Sequence, residues 1–278
     1  MRSFKIVTDS SSDIVSLGSV DFASAPLKII SAEREFVDDA SLDAAEMIRY
    51  FDAYKGKTQS SCPNVADWLA AFGEAEEVIC ITMTGALSGT YNSACLAKRG
   101  YEETYPERRV FVLDSRSTGP EVRLLVERLV EWLQAGCSFE ELCERAVAYQ
   151  KKTGLYFMLR SMKNLANNGR VSPIVAKIAG IVGICAIGRA STEGTLEQCH
   201  TCRGESRALE TLVDCLVESG YAGGRLRISH ALNEAAAERL GELIRARFAN
   251  ANVEIHPCGG LCSFYAEKGG LLVGYERN

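Results

Sequence analysis

The sequence predicts an α/β protein in two parts. An N-terminal parallel sheet with flanking helices is expected over residues 1–155, and a C-terminal α+β domain with a mainly antiparallel sheet over residues 156–278. Three observations lead there. Three apolar runs of strand length, "FKIV" at 4–7, "VICITM" at 78–83 and "VFVL" at 110–113, each lead into a small polar turn, at Asp9-Ser10, Ser88-Gly89 and Asp114-Ser115. The second and third are followed by helical periodicity, clearest at Leu124, Leu125, Arg128, Leu129 and Trp132, and repeated strand–turn–helix units build a parallel sheet. After Gln150 that plan gives way to shorter strands alternating with helices. A chain of 278 residues is also long for one core, so two packed domains are the expectation.

The elements follow in order. Ser41 is placed as the N-cap of a helix over Ala44–Tyr54, and Asn64 as the cap of Val65–Phe72 with Asp67 at N3. The Ser-rich joint "TQSSCPN" stands just before that second cap. In a parallel sheet ligands bind beyond the carboxyl ends of the strands, so Ser10, Ser88 and Ser115 are expected on one edge, where they could converge. The segment "LYFMLRSMKNLANNGRVSPIVAKIAGI" at 155–181 reads as two helices broken at Asn168-Gly169. Gly169 suits the C′ position of the first; Ser172 and Pro173 suit N-cap and N1 of the second. Arg170 is left on the loop with only Asn167, Asn168, Val171 and Ser172 around it, so it is expected to project into solvent. Strands at Ile184–Ile187, Leu196–Cys202, Leu226–His230 and Val253–His256 then alternate with helices at Glu205–Glu218 and Asn233–Phe248.

Composition bounds the function. Formal net charge is -5, with no basic surplus of the kind a nucleic-acid binder carries. The apolar stretch around Ile174 to Ile187 is interrupted by Lys177 and glycines, too short and broken to span a bilayer. The opening "MRSFKIVTDSSSD" has no apolar signal-peptide core. Eleven cysteines, an odd number, sit mostly in apolar runs and behave as small hydrophobes. Together these point to a reducing cytoplasm.

Several residue groups carry possible chemistry. The hydroxyl-rich joint Ser88-Gly89-Thr90 at a helix start suggests an anion site, although Ser88 also suits a plain helix cap. Ser88, Asp114 and His256 stand in hydrolase order, but "GALSG" misses the nucleophile-elbow spacing by one residue. Cys199-His200-Thr201-Cys202, with His256, Cys258 and Cys262, could build a zinc-binding module, though at no common finger spacing. Neither common nucleotide-binding glycine loop is present. A lone histidine such as His256 is most often structural, and a loop arginine such as Arg170 most often solvated.

Taken together, "DSSSD" at 9–13, "SSCP" at 60–63, "LSGTYNSA" at 87–94, "LDS" at 113–115, "NGRVS" at 168–172, "CRGESRALE" at 202–210 and "HPCGG" at 256–260 resemble the DegV family of bacterial fatty-acid-binding proteins over nearly the whole chain. The resemblance implies a carrier without a catalytic cycle of its own. It would bury a long-chain fatty acid such as palmitate between the two domains and present its carboxylate to a fatty acid kinase subunit for acyl-phosphate formation. The acyl-phosphate would then pass toward phospholipid synthesis, with an acyltransferase or a membrane surface as a transient partner. It implies no cofactor beyond the bound lipid, no metal and no nucleic acid. By the same resemblance Ser60, Ser61, Ser88, Gly89 and His256 would bind the carboxylate, and Arg170 would dock the kinase. Cys62 stands where the family has glutamine, and Pro257-Cys258 alters the family's His-x-Gly-Pro-Gly loop. The physics agrees: burying about 14 methylenes at roughly 0.8 kcal/mol each supplies affinity, while the carboxylate demands donors.

Overall fold

A computed structural model describes residues 2–172 and 183–277. In chain order the first half runs β1 (Phe4–Asp9), β2 (Phe22–Ala25), β3 (Lys28–Ser31), β4 (Glu35–Val37), α1 (Ala44–Ala53), β5 (Thr58–Ser61), α2 (Val65–Phe72), β6 (Glu77–Thr82), α3 (Thr90–Thr104), β7 (Arg109–Asp114), α4 (Pro120–Gln134) and α5 (Phe139–Gln150). The second half runs β8 (Thr153–Leu159), α6 (Lys163–Asn167), β9 (Ile184–Ala190), β10 (Leu196–Arg203), α7 (Glu205–Glu218), β11 (Gly224–His230), α8 (Glu234–Arg247), β12 (Ala251–Pro257), α9 (Gly260–Ala266) and β13 (Leu271–Glu276).

The strands form a parallel sheet β2-β1-β6-β7, a small antiparallel sheet β4-β3-β5, and a six-stranded sheet β10-β9-β8-β13-β11-β12. The last is antiparallel except for the β11–β12 pair. The α/β class, the parallel N-terminal sheet and the mainly antiparallel C-terminal sheet are as the sequence predicts. The short strands β2 to β5 and the strand β13 carry too few residues or too little alternation to stand out.

Two local expectations change. The residues Leu155–Leu159 are not helical; they lie inside β8, which is buried along its whole length in the middle of its sheet. A continuous apolar run is what a strand covered on both faces shows, and periodicity cannot separate it from a buried helix. Ser41 does not cap α1. Asp43 does, its carboxylate accepting from the N–H groups of Ala45 and Glu46, while Ser41 donates through its N–H and hydroxyl to Asp39. The capping box Asn64–Asp67 forms as read. The helix expected from Pro173 onward lies outside the described residues.

The cores show how the halves are joined. One cluster, with Tyr156, Met158, Ile187 and Ile228, belongs wholly to the second half. Another sets Leu27, Ile29, Phe36, Met47 and Met83 from the first half against Leu261 and Phe264 of α9. A third sets Ile48 of α1 among Leu155, Phe157, Leu159 and Leu272. Apolar side chains of α9 and of one face of the six-stranded sheet therefore pack against the first half, and a cavity remains within that contact.

Candidate functional site

The cavity lies where side chains of the two halves meet. Its walls are apolar: Leu155, Phe157 and Leu159 from β8, Leu272 from β13, Leu196 from β10, and Leu27, Met83 and Leu261 opposite. Polar groups enter through Ser60, Ser88, Thr118, Arg170 and Tyr265. Three of these are linked, and the third reaches the neighbour of Ser88. Ser60 Oγ and Tyr265 OH share a hydrogen bond of 2.7 Å. The Arg170 guanidinium lies 5.8 Å from the centre of the Tyr265 ring. Its Nε donates to the Leu87 carbonyl, next to Ser88, at 3.2 Å.

Each side chain is placed by its element. β5 alternates, so Ser60 faces inward while Ser61 is exposed and donates only to the Cys62 carbonyl at 3.3 Å. Ser88 lies one residue before the N-cap Gly89 of α3, and its Oγ accepts from the Thr90 N–H at 3.3 Å. Gly89 does not line the cavity; a side chain there would meet Cys62 Sγ at 3.5 Å. The strand ends do gather, but around a carboxylate belonging to the protein. Asp9 at the end of β1 accepts from Ser11, from the Met83 N–H at 2.8 Å and from Thr90 Oγ1 at 3.1 Å. Complete burial pushes its carboxyl above the usual range. Ser10 and Ser115 do not converge with Ser88 in the cavity. Ser10 Oγ accepts from the Leu27 N–H, tying the end of β1 to the segment before β3, and Ser115 Oγ donates to the Ser117 carbonyl within its own turn.

Two expected site residues stand elsewhere than predicted. Arg170 does not project into solvent. Asn168 ends α6, Gly169 adopts φ 73°, and the N–H groups of Gly169 and Arg170 return to the carbonyls of Ala166 and Leu165. This Schellman turn reverses the chain, and the half-buried Arg170 side chain folds back over the cavity, donating to the Asn168 and Leu87 carbonyls. His256 is not brought to Ser60 and Ser88. It sits on edge strand β12 opposite Ser229, with Nε2 3.6 Å from Glu254. Burial and the nearby Arg123 guanidinium lower its pKa below the usual imidazole value.

What the "HPCGG" segment delivers instead is backbone and glycine. The Gly259 N–H donates to Asp13 at 2.8 Å, and those of Gly260 and Leu261 to Asp38 at 2.7 and 2.9 Å. A Cβ on Gly260 would stand 2.6 Å from the Asp38 carboxylate, and one on Gly259 2.8 Å from that of Asp13. Two carboxylates from the first half thus hold the start of α9, the helix that carries Leu261, Cys262, Tyr265 and Ala266 into the cavity wall. Burial and the nearby Asp38 push the Asp13 carboxyl up to about 7, and burial raises Asp38 in the same direction. Tyr265 and these two aspartates escaped sequence reasoning; the only signal was the paired glycine ahead of an apolar run.

The other constellations do not assemble. Asp114 accepts from the N–H groups of Gly85 and Arg116, apart from His256 on its edge strand, so Ser88, Asp114 and His256 form no triad. Cys199 is exposed beside a β-bulge in β10, whereas Cys202 is buried. Among the described residues no group of three or more His, Cys, Asp or Glu could hold a metal ion, and no helix is long and apolar enough to cross a membrane.

Comparison with known proteins agrees with the fold. The family model described as "Uncharacterised protein, DegV family" matches residues 3–278. A DegV domain-containing protein of Streptococcus pneumoniae is 44% identical over 277 residues, covering 98% of this chain and 99% of that protein. The crystal structure of the Streptococcus pneumoniae Fatty Acid Kinase (Fak) B3 protein loaded with linoleic acid superposes with a TM-score of 0.97 at 44% identity, covering 99% of this chain and all of that one. A DegV family protein from Eubacterium eligens loaded with heptadecanoic acid gives a TM-score of 0.97 at 41% identity, with the same coverage. With the family model spanning nearly every residue and close relatives aligned end to end, this chain belongs to the DegV family.

Proposed function

We propose that the protein is a carrier that buries one long-chain fatty acid in this cavity and presents its carboxylate to a partner kinase. The observation that carries the reading is the linkage of Ser60, Tyr265, Arg170 and the Leu87–Ser88 segment at an otherwise apolar cavity. A lone carboxylate resists burial by several kcal/mol; two serine hydroxyls, a phenol and a guanidinium are the donors that overcome it. The apolar wall supplies affinity, on the order of 11 kcal/mol gross for a palmitoyl tail of about 14 methylenes, much of it offset by ordering. The fatty acids in the two similar solved proteins support the same ligand class.

The role in phosphoryl transfer follows from chemistry. An ionised carboxylate is already a nucleophile toward phosphorus, so the carrier needs no general base; its task is to hold the head-group in line for attack on ATP bound by the kinase. Arg170, half-buried beside Ser88, is placed to balance the carboxylate and then to meet the incoming phosphate. Native mass spectrometry of the purified protein tests the first step: one adduct of long-chain fatty acid mass is expected, and a zinc adduct or an empty chain would overturn it. Incubation with a fatty acid kinase catalytic subunit and labelled ATP tests the second. Label should appear in acyl-phosphate only when this protein is present.

A further inference from the structure

The cavity-facing row of β9 is unusually small. β8 turns Leu155, Phe157 and Leu159 to the cavity, and the paired positions on β9 are Ala186, opposite Leu159, and Gly188, opposite Phe157. The other face of the same strands carries Tyr156, Met158, Cys185 and Ile187 into a separate core. Small residues are thus confined to the face that borders the cavity.

Gly188 is in direct contact with the Phe157 ring. A Cβ built on Gly188 would lie 2.3 Å from Phe157 Cζ and 2.5 Å from Cε2, so the ring occupies the space a side chain would take. Gly188 needs no left-handed backbone, since it is absent from the positive-φ glycines; its smallness answers to packing. The ring's other neighbours are fixed: Leu155 and Leu159 flank it along β8, and Leu272 stands opposite on β13. If the space over Gly188 were closed, the ring could move only into the cavity.

We infer that Gly188 and Phe157 together form the acyl-length gauge of the site. Gly188 is a socket that holds the Phe157 ring back against β9, and the retracted ring leaves room along the apolar wall of the cavity for a long unbranched tail. The inference rests on the fatty-acid reading above and names the pair that sets which fatty acids fit. Filling the socket shortens the channel, and removing the ring lengthens or widens it.

Dissociation constants for laurate, palmitate, stearate and arachidate would be measured by displacement of a fluorescent fatty acid. The chains compared are wild type, Phe157→Ala, Gly188→Ala and the double variant, each checked for folding by circular dichroism and melting temperature. Phe157→Ala should favour arachidate over palmitate by about tenfold relative to wild type. Gly188→Ala should weaken stearate at least about tenfold while changing laurate about threefold or less. The double variant should recover stearate binding, because the ring that Gly188→Ala displaces is gone. The Glu197 carbonyl lies 2.5 Å from the same built Cβ, so Gly188→Ala could fail to fold; Phe157→Ala then decides alone. A folded Phe157→Ala with an unchanged length preference overturns the gauge. A wild-type protein that binds none of the four acids overturns the fatty-acid reading itself.

Discussion

The four-stranded parallel sheet meets the cavity with the carboxyl ends of its strands, whereas the six-stranded sheet lays one face along it. Segments just beyond β2, β6 and β7 supply Leu27, Met83, Leu87, Ser88 and Thr118; strands β8, β10 and β13 supply leucines and Phe157. Strand ends and helix starts expose N–H groups and hydroxyls, so that side is organised by buried carboxylates, Asp9, Asp13 and Asp38, each tied to backbone donors. A sheet face exposes only side chains, and there apolar packing suffices. In the proposed carrier the polar groups come from both sides, Ser60 and Ser88 from one and Arg170 and Tyr265 from the other, whereas the sheet face supplies apolar wall, and the two kinds of contact should respond differently to mutation.

The largest effect is expected where the end-on side grips the second half. Asp38→Ala leaves the N–H groups of Gly260 and Leu261 without their acceptor and should cost about 3 kcal/mol of stability in urea unfolding. A loss below about 0.5 kcal/mol would show that apolar packing alone seats α9.

Next comes the pH dependence of the same contact. Asp13 ionises at about 7 in the folded protein against an ordinary 3.8. Between those values the folded state holds a proton that the unfolded chain has released. Its contribution to stability is thus full below the unfolded pKa and is lost as pH rises through the folded one. Wild type should lose about 2 kcal/mol more than Asp13→Asn as pH rises from about 5 to about 7. Asparagine keeps the acceptor for Gly259 and tolerates the left-handed backbone of Asp13, φ 56°. Parallel urea midpoints for the two proteins would disprove the assignment.

On the ligand side, Arg170→Ala should weaken fatty-acid binding by about 2 kcal/mol but leave the matching fatty alcohol unaffected, since only a carboxylate needs the guanidinium. Calorimetric titration with both ligands separates this head-group role from docking alone, which would spare both. The smallest effects belong to Ser60→Ala and Ser88→Ala, about 1 kcal/mol of affinity each for one lost neutral donor, with unchanged urea midpoints. Because Ser60 and Tyr265 share a bond at 2.7 Å, the double variant Ser60→Ala/Tyr265→Phe should lose less than the sum of the single changes.

The local grammar of the sequence was enough for much of this. The run "VICITM" with its polar turn, the Asn64–Asp67 capping box, the Gly169 helix stop and the full span of α7 are properties of neighbouring residues, and they form as neighbours dictate. Ser60 and Ser88, which line the cavity, stand in short motifs that single them out before any fold is known. What only the tertiary structure decided is where distant groups end up. A Schellman turn sends Arg170 inward rather than out. The register of β12 leaves His256 at an edge, and Asp13 and Asp38 reach glycines more than two hundred positions away. Tyr265 meets Ser60 only because α9 docks against the first half, and Phe157 rests on Gly188 only because β8 and β9 pair in one register. Periodicity and capping record interactions within a few residues, whereas these contacts depend on how whole strands and helices pack, which no local stretch of sequence encodes.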